Sequence, residues 1–186
     1  MANTFIALLR GINVGGKNKV VMSELKKCLE DLGYSNVLTY IASGNVILDS
    51  GKSSLEVKTQ IEKVLPEKFD LSNELIKVLV ISRDQFQETI NQKPEGFGEQ
   101  PDLYHSDAIF LMEKTAEQVL PVFNPREGVD QIWPGNGVIY SQRLSAARTK
   151  SRLNQAIGTP EYKFMTIRSW NTVSKLMELL NQRMQI

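Results

Sequence analysis

Cysteine and histidine are almost missing: the 186 residues hold one of each. A single cysteine excludes an internal disulfide and fits a reducing, cytoplasmic setting. A structural zinc site needs more Cys and His than the chain has, so no metal and no cofactor are expected. No apolar run approaches the roughly 18 residues of a membrane span. The first apolar stretch, Phe5 to Leu9, ends at Arg10 and has no cationic segment before it. It is expected to be neither a signal peptide nor an anchor. An excess of one charge is also lacking. Lys and Arg number 22 against 21 Asp and Glu, a net charge of +1, so no overall basic field favours nucleic acid. The remainder is ordinary, with 41% hydrophobic and 23% charged residues, which excludes wholesale disorder.

The hydrophobic pattern supplies the elements. Thr4 to Leu9 has the length of a buried strand and leads into a Gly- and Lys-rich loop, Gly11 to Lys19. Met22, Leu25, Leu29 and Leu32 keep helical spacing, and Gly33 stops that helix. Val37 to Ala42 and Val46 to Leu48 flank a tight Ser43-Gly44-Asn45 turn. Leu55 to Leu65 is helical, with Pro66 expected to close it. Ile76 to Ile81 is a strand, and Ser82 with Gln85 forms a capping box for a helix ending near Gln92. Lys93 to Leu103, rich in Pro and Gly, is the best linker.

The second half repeats the order. Asp107 to Met112 is a strand and Thr115 to Phe123 a short helix. Gln131 to Trp133 and Val138 to Ser141 flank Pro134-Gly135-Asn136-Gly137, whose Asn-Gly is a strong hairpin signal. Arg148 to Ile157 is expected to be helical, Phe164 to Ile167 a strand and Thr172 to Met184 a terminal helix. The predicted fold is α+β, a duplication of two ferredoxin-like β-α-β-β-α-β repeats. Each repeat has an antiparallel sheet of order 4-1-3-2 and a trailing helix. The expected division is 1–93, a linker at 94–104, and 105–186.

Four stretches carry a family resemblance. Ala7-Leu-Leu-Arg-Gly-Ile-Asn-Val-Gly-Gly-Lys-Asn-Lys19 and Thr39-Tyr-Ile-Ala-Ser-Gly-Asn-Val46 resemble the opening of the bacterial domain of unknown function 1697. Thr149-Lys-Ser-Arg-Leu153 and Thr166-Ile-Arg-Ser-Trp-Asn-Thr-Val173 are similar to its later stretches, with Ser169 where Asn is the expected residue. The resemblance implies a duplicated ferredoxin-like architecture. It implies no activity and transfers no catalytic residue.

Where chemistry could sit follows from the cations. Gly11 to Asn18 spells G-x-x-x-x-G-K followed by Asn, where a Walker A loop needs a Ser or Thr hydroxyl for Mg²⁺. Val20 and Val21 also delay the helix that should hold the phosphate. The plain alternative is a Gly-permitted turn from strand to helix; the third is an anion-binding nest of Gly amides with Arg10 and Lys17. The expected topology gathers Arg10, Asn13, Lys17, Ser43 and Asn45 at one sheet edge, with Gly11, Gly15 and Gly16 as candidates for the nest's amides. Residues 10–27 hold five cations against Glu24.

A second set, Arg143, Lys150, Arg152, Arg168, Trp170 and Asn171, lies in or next to a stretch of six cations against Glu161. A helix N-terminus there would add a positive dipole, and Asn171 is a candidate cap. The alternative is a solvated basic face. Cys28 belongs to an apolar helix face. His105, Ser106 and Asp107 are adjacent in sequence, which does not make a triad. Phe110 and Tyr140 sit where RNA-recognition sheets carry aromatics, and core packing is the preferred reading. The function expected is binding of an anionic ligand, phosphate- or carboxylate-bearing, a small molecule or nucleic acid. The alternatives are an enzyme acting on such a small molecule, and a protein-interaction scaffold without ligand.

Overall fold

The computed structural model describes residues 2–72 and 76–183. The chain divides into two compact units, residues 1–86 and 87–186. In the first, β1 (Asn3–Arg10) is central, paired antiparallel with β3 (Asn45–Ser50) and β4 (Lys77–Ser82), while β2 (Ser35–Tyr40) flanks β3. The strand order is β2-β3-β1-β4. Alternation along β1 sends Phe5, Ala7 and Leu9 to one face, where they pack with Leu25 and Leu29 of α1 (Met22–Asp31) and Ile61 and Leu65 of α2 (Ser54–Lys68). Ser53 caps α2 through a capping box with Glu56.

Pro66 does not close α2, which runs on to Lys68. Proline removes one amide and crowds the carbonyl four residues back, but only the last helical turn remains beyond it. The Phe69 amide still reaches the Leu65 carbonyl at 3.0 Å. The Ser82 capping box is present: the Gln85 amide donates to Ser82 Oγ at 3.2 Å and the Ser82 amide to Gln85 Oε1 at 2.9 Å. It opens α3 (Arg83–Asn91), inside which the two units divide.

The second unit repeats the strand order, β6-β7-β5-β8, all antiparallel: β5 (Tyr104–Leu111), β6 (Asp130–Gly135), β7 (Val138–Leu144) and β8 (Met165–Ser169). Asn136 and Gly137 form the hairpin turn. Residues 94–104, expected as a linker, lie inside this unit. Phe97 is fully buried there and meets Trp133, Tyr140 and Trp170 edge-to-face at centroid distances of 5.0–6.0 Å. The expected helix 115–123 is shorter: α4 (Ala116–Val119) passes into a 3-10 turn at Leu120–Val122 that contains Pro121.

The expected helix at 148–157 does not form. Residues 145–164 make three 3-10 turns, Ser145–Lys150, Leu153–Gly158 and Pro160–Phe164, here called the strap. One cause is Asp130, whose Oδ2 accepts the amides of both Arg126 and Arg152 at 2.9 Å and so fixes the chain at residue 152. Gly158 and Pro160 end any continuation. α5 (Trp170–Gln182) packs on β5 and β8. Its cap is Ser169, whose Oγ accepts the Thr172 amide; Asn171 is a helical residue, not the cap. Met184, the expected helix end, lies outside the described residues. Among the described residues no helix is long and apolar enough to cross a membrane.

Candidate functional site

Arg10, Asn13, Ser43 and Asn45 do meet at one end of the first sheet, since Leu8 pairs with Asn45 and the Leu9 amide reaches the Gly44 carbonyl. The polar groups of Asn13, Ser43 and Asn45 hold the loops themselves. Asn13 Nδ2 donates to the carbonyls of Val20 and Ala42 at 2.9 and 2.8 Å, and its Oδ1 accepts the Val20 amide. Asn18 Nδ2 donates to the Gly11 carbonyl, and its Oδ1 accepts the Ser72 amide and hydroxyl. Asn45 Nδ2 donates to the Tyr40 carbonyl and to Ser43 Oγ. Gly15 and Gly16, with φ of +59° and +76°, form a two-residue turn closed by the Lys17 amide on the Val14 carbonyl. Both positive angles suit the tight hairpin turns that glycine enters without strain. Ile12 and Val20 are buried at the base; Val14, Gly15, Gly16 and Lys17 are exposed at the tip. α1 begins five residues after Lys17, and β1 is antiparallel to both neighbours. Neither feature belongs to a phosphate-binding P-loop.

The second cationic set is split by the pleat. Arg143 pairs with His105 and Arg168 with Ala108, odd and even positions of β5, so the two arginines lie on opposite faces. Arg168 is 6% exposed, donating to Thr166 Oγ1 and the Ile167 carbonyl, and burial pulls its guanidinium down to about 10. Trp170 is buried among Phe97 and Tyr140. Lys150 is exposed on the strap, while Arg152 gives its amide to Asp130. With no α-helix between β7 and β8, the expected helix dipole is absent too.

The face carrying Arg143 holds a cavity of about 250 Å³ between the sheet and the strap. Ile109 and Met165 rise from the sheet, Leu153, Ala156 and Tyr162 descend from the strap, and Phe123 follows α4. His105, Asp107 and Arg143 form its polar end. His105 Nε2 lies 3.1 Å from Asp107 Oδ1, and Arg143 Nη2 lies 3.7 Å from Asp107 Oδ2. Burial pushes the Asp107 carboxyl above its ordinary range, while His105 and Arg143 pull it back part of the way. Asp130, opposite Arg143 on β6, behaves oppositely. Burial works against its charge, but the amides of Arg152 and Arg126, the Ser151 hydroxyl and Arg143 outweigh it and hold the carboxyl low. Arg143 Nε is shielded from solvent and has no hydrogen-bond partner among the described residues.

In the sequence His105 and Asp107 are merely near neighbours in a row, which makes no triad. The missed signal is period two. On a strand, residues 105 and 107 share a face, and Arg143 joins them once β7 is registered against β5. A partly buried acid beside a histidine and an arginine, at the polar end of an apolar cavity, is the pattern that marks functional sites.

No curated protein matches the chain. The solved structure of the conserved bacterial protein SP0830 from Streptococcus pneumoniae is similar, with a TM-score of 0.79 and 26% identity, covering 97% of this chain and 99% of that one. The family described as "Protein of unknown function (DUF1697)" matches residues 2–140. The chain belongs to that family.

Proposed function

We propose that the protein binds a small molecule with a carboxylate head and an apolar body in the cavity of residues 105–167. One observation carries this reading: Arg143 lines the cavity with its guanidinium 3.7 Å from Asp107, a charge contact longer than a hydrogen bond. Both oxygens of Asp107 are engaged, by His105 and by Arg143. A guanidinium so placed keeps donors for an acceptor on the ligand, and arginine holds carboxylates through paired hydrogen bonds. Mostly apolar walls supply the remaining affinity. About 250 Å³ falls below the roughly 300–1,000 Å³ of pockets for drug-sized ligands, which favours a small acid over a nucleotide. Within this reading Arg10, Lys17, Lys150 and Arg168 are not ligand contacts. The shared strand order supports taking the two units as a duplicated ferredoxin-like pair.

The test is a thermal-shift titration with octanoate, octanamide and inorganic phosphate. At 100 times its dissociation constant a ligand adds about 2.7 kcal/mol, roughly 5–10 °C for a chain of this size. Octanoate is expected to give that rise and Arg143→Gln to remove it. Equal shifts with octanamide, or an unchanged octanoate shift in Arg143→Gln, would overturn the assignment. A second reading, an enzyme acting on the same carboxylate, draws on the His105–Asp107 hydrogen bond inside the cavity. It requires a turnover that Asp107→Asn abolishes while octanoate still binds.

A further inference from the structure

The cavity floor is polar at one end and apolar at the other. Along this sheet face the first two rows of side chains hold Arg143, His105 and Asp107. The next two hold Ile109 beside Ile167, then Met165. Rows are two residues apart on a strand, so the Arg143 row and the Met165 row are about 20 Å apart. A head bound at Arg143 therefore has its body laid along the apolar rows.

The apolar end is not sealed. Ile157 on the strap and Ile167 on β8 both line the cavity, yet they are 53% and 39% exposed. By contrast Leu153 and Met165, lining the same cavity, are buried. β8 is the last strand of its sheet, so Ile167 stands at the sheet's margin. Two large apolar side chains shared between a cavity and solvent mark an opening, and water there is displaced favourably by hydrocarbon.

We infer that the cavity is open at its apolar end and takes a straight-chain monocarboxylate whose tail leaves between Ile157 and Ile167, over the β8 margin. This rests on the carboxylate reading above. A sealed cavity would set a maximum length, because close-packed walls resist extra methylenes. An open one tolerates a longer tail, each buried methylene adding about fourfold in affinity until the tail passes the rim.

The experiment is calorimetric titration of the full chain with the straight-chain series from butanoate to tetradecanoate, each below its micelle concentration. Affinity is expected to climb about fourfold per methylene through the early members and then to level without falling. Ile157→Ser and Ile167→Ser, both at exposed positions, are expected to cut the tetradecanoate-to-hexanoate affinity ratio tenfold or more. Circular-dichroism melting confirms that each variant is folded. An affinity maximum at intermediate length followed by a fall overturns the inference alone, provided the short acids still bind through Arg143. An unchanged ratio in both variants does the same. Absence of binding across the whole series, or binding indifferent to Arg143→Gln, overturns this inference and the carboxylate reading together.

Discussion

Two aspartates on one sheet face carry opposite instructions. Asp107 has a raised carboxyl, with burial the largest cause, so its ionised form is the disfavoured one in the folded chain. The folded protein then holds that proton more tightly than the unfolded chain, and stability is lost as pH rises from about 4 through the folded value. Asp107→Asn, which cannot ionise, is expected to gain stability relative to the wild type as pH rises from 4 to 8. Melting curves across that range check it, and a constant difference would contradict it. A bound carboxylate repels ionised Asp107, so above about pH 6, where an alkyl carboxylate is already ionised, octanoate affinity is expected to weaken with rising pH and to flatten in Asp107→Asn. Asp130 has a lowered carboxyl and a structural duty. Its contribution is present above about pH 4 and fades as pH falls through its folded value. Asp130→Ala leaves the Arg126 and Arg152 amides without their acceptor. The expected cost is about 3 kcal/mol, roughly 6–12 °C in Tm; a change under about 2 °C would remove Asp130 from this role.

Elements built on strong periodicity or specific turn chemistry were legible in the sequence. The alternation Phe5, Ala7, Leu9 marks β1, Asn136-Gly137 marks the β6–β7 hairpin, and Ser82 with Gln85 marks the start of α3. The strap was not, because its apolar residues Leu153, Ala156 and Ile157 mimic helical spacing over one turn. What breaks that helix is a tertiary contact with Asp130, which lies 22 residues away from Arg152. The candidate site was half legible. Arg143 was singled out by charge, but His105 and Asp107 needed the register of β5 against β7. The conspicuous Gly11 to Asn18 motif turns out to build a loop held by its own asparagines. Asn13→Ala removes three hydrogen bonds, two of which tie the base of the loop together and one of which reaches Ala42. A loss of about 2–3 kcal/mol is expected from bonds worth about 1 kcal/mol each, read as a lower denaturation midpoint. Amides of the strap are expected to exchange faster than those of β5 and β7, since irregular segments open at lower cost than central strands. Protection equal to that of β5 would contradict the strap's description as a separately held segment.

At the scale of the whole molecule, two units share one strand order but differ in what covers the sheet. The first carries two α-helices on the face of Phe5, Ala7 and Leu9; the second carries one short helix and the 3-10 strap on the face of Ile109 and Met165. That thinner cover is what leaves room for the cavity. A net charge of +1 gives the chain no long-range field for polyanions. Octanoate affinity is therefore expected to change less than about threefold between 50 and 200 mM salt, far below the roughly 10³–10⁵ loss of a protein neutralising many phosphates. The most direct measurement is a calorimetric titration of the wild type and Arg143→Gln with octanoate and octanamide at one pH and salt concentration. Saturable binding of octanoate by the wild type, lost in Arg143→Gln and absent for octanamide, is the predicted result. Octanoate binding of equal affinity in both proteins would contradict the claim that Arg143 holds a carboxylate in this cavity.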